Sequence, residues 1–151
     1  MILLDTNVVS AVMARAPDAA VVAWLDRQET LALFLSAVTV AEIRYGLQVL
    51  PEGRRRSSLE DRFAKFLAEG FSGRILPFDA EAAQHYGEIM AARRGAGRPM
   101  SILDGQIAAI ARAHRLAVAT RNVRDFELCG LEVVDPFEPP KPPATPRPQS
   151  R

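Results

Sequence analysis

Met1-Ile2-Leu3-Leu4-Asp5-Thr6-Asn7-Val8-Val9-Ser10-Ala11-Val12 is the stretch on which the reading of the fold turns. Its apolar opening has the length of a buried strand, and Asp5-Thr6-Asn7 are residue types that end strands and cap helices rather than continue either. Asp5 is therefore expected where strand becomes helix. In an open α/β sheet such junctions lie at the carboxyl edge of the strands, where ligands bind.

The rest of the chain repeats this alternation. A short helix is expected to about Ala14, and Pro17-Asp18 signals a second one with Val21, Val22, Trp24 and Leu25 at helical spacing. Trp24 reads as core. Leu31 to Leu35 has strand length, and Ser36 to Thr39 leads into a helix carrying Glu42, Ile43, Tyr45, Leu47 and Leu50. After Pro51-Glu52-Gly53 and the basic run Arg54-Arg55-Arg56, which reads as a solvated face, Leu59, Phe63, Phe66, Leu67 and Phe71 mark an amphipathic helix. Gly73 to Phe78 is a short third strand, and Asp79 caps a helix running to Arg94. Beyond the glycine loop before Pro99, Ser101 opens a helix to about His114. Ala117 to Thr120 is a small-residue strand, Arg121-Asn122 a polar turn before a short segment ending at Phe126, and Leu131 to Val134 a fifth weak strand. Strands alternating with helices predict an α/β fold: a central, mainly parallel sheet of about five strands with helices on both faces. Residues 1–137 form the expected domain. From Pro136 prolines recur too often for a ladder or a core, so residues 138–151 are expected to be a Pro-rich disordered tail.

Composition excludes more than it proposes. At 151 residues, 48% hydrophobic and 25% charged, the chain has ordinary globular make-up and enough length for one core. Nineteen basic against eighteen acidic residues leave +1, so bulk charge makes no case for a polyanion partner. Cys129, the single cysteine, has no internal partner and no metal-ligand neighbours, which fits a buried thiol in a reducing compartment. No apolar stretch reaches membrane-span length and no basic segment precedes the first strand, so the expected location is the cytoplasm.

The chemistry lies in acids. Glu42 and Asp104, like Asp5, sit at helix starts beside apolar side chains. Asp104 shares a helical stripe with Ile107, Ala108 and Ala111, the side expected to face the sheet, where an unpaired charge costs several kcal/mol. Capping is the bland account. Asp5 is a natural N-cap, and Thr39-Val40-Ala41-Glu42 and Ser101-Ile102-Leu103-Asp104 fit or approximate the capping box. Capping, however, does not require the three acids to converge, whereas a parallel sheet brings all its strand-to-helix junctions to one edge. Converging carboxylates need a neutralising partner, and oxygen ligands with room for water suit Mg²⁺ or Mn²⁺.

With these residues in view, the chain resembles the PIN-domain ribonucleases of the VapC toxin family, and more narrowly their FitB branch. The likeness rests on Ile2-Leu3-Leu4-Asp5-Thr6-Asn7, the segment Leu35 to Gly46 around Glu42-Ile43-Arg44, the Asp104-Gly105-Gln106-Ile107-Ala108 helix and Ala119-Thr120-Arg121-Asn122, in that order. It implies a PIN fold, Mg²⁺- or Mn²⁺-dependent endoribonuclease activity, and a homodimer inhibited by a cognate VapB- or FitA-like antitoxin, with DNA reached only through that antitoxin. It also implies Asp5, Glu42 and Asp104 as catalytic metal ligands, with Thr6 and Thr120 in support. The family's fourth acidic position is Asn122 here, a catalytic position whose amide adds no charge; Asp125, about one helical turn on, is a supporting residue. One metal or two stays open.

Phosphodiester hydrolysis accounts for the residue types independently. An anionic ester repels a water nucleophile until a divalent ion neutralises an oxygen and lowers the water's pKa, and carboxylates serve by holding the ion. His85 and His114 have no serine or cysteine partner nearby in sequence and read as packing or surface residues. Arg44, Arg98, Arg121 and Arg124 flank the acidic motifs and could grip phosphate, Arg98 foremost because it precedes the catalytic helix on a glycine loop. Two other readings stand beside this one. A haloacid-dehalogenase-like phosphatase shares the Asp5-Thr6-Asn7-Val8 opening but needs a second Asp where Asn7 stands; a silent PIN-like binding module would use the acids only as caps.

Overall fold

The structure, a computed structural model, describes residues 1–138; residues 139–151, which hold all of the expected tail but Glu138, lie outside the described residues. In chain order the elements are β1 (Ile2–Leu4), α1 (Thr6–Met13), α2 (Ala19–Leu25), β2 (Leu33–Ser36), α3 (Ala37–Gln48), α4 (Arg54–Gly70), β3 (Ile75–Leu76), α5 (Ala80–Gly95), α6 (Ile102–Ala113), β4 (Ala117–Ala119), α7 (Val123–Phe126) and β5 (Val133–Val134). The five strands form one sheet in the order β3-β2-β1-β4-β5, and every pairing is parallel. Among the described residues no helix is long and apolar enough to cross a membrane.

Two cores follow from strand alternation, since successive side chains point to opposite faces. Leu3 and Val118 are buried with Ile89 of α5, Ile107 and Ile110 of α6, and Phe126 of α7. Leu4, Leu33, Leu35 and Ala119 face the other way, onto Val8, Val9, Val21, Phe63 and Phe71. The sheet is thus covered on both sides. On the first side α5 and α6 pack closely. A Cβ on Gly105 would lie 2.6 Å from Met90 Sδ and 3.0 Å from Tyr86 Cε2, so a side chain at that crossing would force Met90 to shift and the Tyr86 ring to give way.

The structure moves several boundaries and one capping group. Thr30–Ala32 is a 3-10 turn rather than the start of β2, and Leu31 within it is 78% exposed. The N-cap of α3 is Ser36, whose hydroxyl accepts from the Thr39 N–H at 2.9 Å. Thr39 is then three residues inside the helix and Glu42 a turn further, so the expected Thr39–Glu42 capping box is not formed. Phe63 and Phe71 are buried, and Phe66 lies between them with ring centroids 6.3 Å and 5.0 Å away, so these rings fill a core. Among the aromatic residues of α3 and α4, Tyr45 is the exposed one, at 72%. Trp24 packs on the second core, as does Phe137 at the far end of the described chain.

Candidate active site

Because β1 is the central strand and all strands run the same way, the carboxyl ends of β1, β2 and β4 share an edge. Asp5 follows β1, and its backbone N–H donates to the Ala119 carbonyl at 2.9 Å, adding one rung to the ladder. Ser36 ends β2 and starts α3, which carries Glu42. The helix α6 returns to β4, so its first turn, with Asp104, lies at the same edge. A cleft of about 520 Å³ there is lined by Asp5, Thr6, Asn7, Glu42, Asp104, Asn122 and Arg121, with Ser10 and Ala11 on its rim.

Asp5 is the buried member, 4% exposed. Its carboxylate accepts from the Thr6 N–H at 2.8 Å, the Asn7 side-chain amide at 2.9 Å and the Thr120 hydroxyl at 2.8 Å. Burial pushes this carboxyl up from its ordinary 3.8 to about 6; the bonds from Thr120 and Thr6 oppose the rise, while the charges of Asp104 and Glu42 add to it. Glu42 accepts from the Thr6 hydroxyl at 2.5 Å, and the Ser36 and Thr39 hydroxyls continue this chain beneath it. Asp104 accepts from Ser101 Oγ at 2.7 Å, and Ser101 Oγ accepts from the Asp104 N–H at 3.0 Å. Capping therefore describes Asp104 in part, yet the same carboxylate lines the cleft, half-buried rather than sealed against the sheet.

Each acid is bonded to a neighbouring hydroxyl or amide, and among the described residues no three acidic, histidine or cysteine side chains converge on one metal position. The donor set nevertheless fits a hard divalent cation. Three carboxylates and the flanking hydroxyls offer oxygen alone, and Asp5 is buried against like charges that an ion would offset.

The other expected site residues divide. Thr120 is fully buried and binds Asp5, and its hydroxyl also accepts from the Asn122 N–H at 3.0 Å. Asn122 and Arg121 line the cleft. Asp125 does not: it lines a neighbouring groove instead. Arg98 pairs with Glu127 at 2.8 Å, and Arg44 sits 5.9 Å over the Phe63 ring in a hollow between α3 and α4, so neither lines the acidic cleft. His85 lies 3.4 Å from Glu88, and His114 caps the end of α6.

Asn7 and Thr39 stand within the quoted motifs but were given no part in the site. Asn7 donates to Asp5 and, at 3.0 Å, to Thr120, while its carbonyl oxygen accepts from the Arg121 N–H at 3.1 Å, tying β1 to the turn after β4. Its place between Thr6 and an apolar helix was visible, but the partner is 113 residues away. Arg93 was missed as well. It is 3% exposed and donates to the Arg124 and Glu127 carbonyls at 3.3 and 2.7 Å, fastening the end of α7, the helix that follows Asn122.

A family model for the PIN domain matches residues 2–129, and the chain belongs to the PIN-domain family. Its relatives there include the VapC ribonuclease Y4jK of Sinorhizobium fredii, 45% identical over 139 residues, with 92% of this chain and 99% of that protein covered. Toxin FitB of Neisseria gonorrhoeae is 41% identical over 137 residues, covering 91% of this chain and 99% of the relative. A solved structure of FitAB bound to an IR36 DNA fragment matches with a TM-score of 0.88 at 39% identity, over 93% of this chain and 99% of that one. Membership of this family sets aside the phosphatase reading.

Proposed function

We propose that the chain is the toxin of a type II toxin–antitoxin pair and acts as a divalent-metal-dependent endoribonuclease. The observation that carries this reading is the meeting of Asp5, Glu42 and Asp104 in one cleft at the carboxyl edge of a parallel sheet. The similarity to a VapC ribonuclease and to FitB supports it.

Asp5, Glu42 and Asp104 would hold the ion, Mg²⁺ with Mn²⁺ able to substitute, and when bound it supplies charge neutralisation at the phosphate and a lowered pKa for the attacking water. The remaining work falls to the chain. Thr120 and Asn7 fix the Asp5 carboxylate, Thr6 orients Glu42, and Ser101 orients Asp104. Asn122, at the fourth position, offers the cleft an uncharged amide. Arg121, exposed at the rim, can donate two N–H groups to a phosphate. No covalent step through the protein is needed: Ser10 is the one serine lining the cleft, and it has no histidine beside it.

The relation to FitB, solved as FitAB on DNA, supports a FitA- or VapB-like antitoxin as the inhibitor, DNA being reached only through it. A cytoplasmic homodimer completes the reading, as does the division into a domain of residues 1–137 and a tail of residues 138–151. The test is to incubate the purified chain with RNA in Mg²⁺, in chelator, and after co-expression with the adjacent small reading frame. Cleavage only in Mg²⁺, suppressed in the co-expressed complex, is the expected result. Equal cleavage in chelator would sink the metal claim, and full activity in the presence of the neighbour's product would sink the partner claim.

A further inference from the structure

A second hollow, about 710 Å³, opens beside the acidic cleft, between α7 and β5, and Arg121 and Asn122 line both. The two spaces therefore adjoin along these two residues. The Arg121 guanidinium carbon lies over the face of the Phe137 ring, 3.9 Å from its centre, and its nearest carboxylate, Asp18, is 3.9 Å away. A phosphate held by Arg121 would have its ester in the cleft and the adjoining nucleotide at the mouth of this groove.

The groove's walls do not suit a phosphate chain. Arg121 and Arg124 are outnumbered there by Asp125, Glu127, Asp135 and Glu138. Two of these acids are engaged: Glu127 with Arg98 at 2.8 Å, and Asp135 with the Phe137 N–H at 2.8 Å. Asp125, exposed on α7 beside Arg124, is directed to neither task, and Val123 and Val133 supply apolar surface in the same groove. Acceptors and a guanidinium around an apolar surface match the edge and face of a nucleobase rather than its backbone. Guanine presents the fitting edge, because its N1–H and N2–H donors can pair with one carboxylate while its O6 and N7 accept from an arginine.

We propose that this groove is a nucleobase subsite selecting guanine next to the cleaved phosphate, with Asp125 and Arg124 reading the base. The proposal rests on the ribonuclease reading for its substrate class, but its test does not need cleavage. The full chain, in chelator, is titrated by fluorescence anisotropy against labelled nine-nucleotide RNAs that differ only in the central base of a uridine tract. The guanine probe should bind about ten-fold more tightly than the other three, the size of one bidentate base contact. Asp125→Asn should bring the guanine probe down to the affinity of the others, and Arg124→Gln should narrow the same gap. Equal affinity for all four probes, or a guanine preference that survives Asp125→Asn, would overturn the subsite. A chain that selects guanine yet never cleaves RNA in Mg²⁺ would sustain the subsite and overturn the nuclease reading.

Discussion

Asp5 is held in a setting that opposes its own charge. Its carboxyl titrates near 6 in the folded chain against 3.8 ordinarily, chiefly through burial. The folded state thus holds the proton more tightly than the unfolded one, so without metal stability falls as pH rises through this window and levels off above about 6. The ionised group then costs on the order of 3 kcal/mol. In metal-free buffer, Asp5→Asn should gain on the parent in urea midpoint between pH 4 and pH 7, whereas parallel profiles would contradict this origin of the strain. Asn7 is the complementary case, a neutral residue that holds a charged one. Asn7→Ala removes two donors and one acceptor from the Asp5–Thr120–Arg121 junction, and should slow RNA cleavage by about 10- to 100-fold, the usual penalty for losing a group that orients a metal ligand. A cleavage rate within two-fold of the parent would show that Asp5 does not depend on it.

The hairpin of α5 and α6 offers a test of sign at the level of elements. Alanine in place of a helical glycine ordinarily stabilises by about 1 kcal/mol. At Gly105 the added Cβ meets Met90 and Tyr86, and overpacking of this kind costs about 1–3 kcal/mol, so Gly105→Ala should lower the melting temperature. A rise would mean that the two helices have room to spare. The same scale shows what sequence could and could not disclose. Apolar runs ended by Asp5, Ser36 and Thr120 marked the strands and their order of use, because burial on both faces demands unbroken apolar runs. The beginning of β2 was not legible, since an exposed Leu31 in a 3-10 turn and a buried Leu33 in a strand look alike in a run of five apolar residues. The capping residue of α3 was also ambiguous: Ser36 and Thr39 both fit, and only the depth at which the chain leaves the sheet decides between them. The arginines were the least legible, because Arg98 and Arg121 differ in their partners, Glu127 and Phe137, and those contacts are made by tertiary structure alone.

Across the whole molecule, acids that repel one another at a sheet edge would, if they hold the proposed ion, make stability and metal binding a single equilibrium. A ligand that binds only the folded form raises stability by RT ln(1 + [L]/Kd). Millimolar Mn²⁺ should therefore raise the melting temperature of the parent and leave Asp5→Asn/Asp104→Asn unmoved; equal shifts in both would point to binding elsewhere on the surface. Whether Asp104 serves as a metal ligand and not only as a partner of Ser101 is decided by the rate of RNA cleavage in Mg²⁺ with Asp104→Asn beside the parent. Asparagine keeps the size of the side chain and can still accept from Ser101, so the fold and the first turn of α6 should persist, as melting curves would verify. Cleavage by the folded variant should be abolished. Cleavage at the parent's rate would contradict the ligand role and leave Asp104 a capping residue.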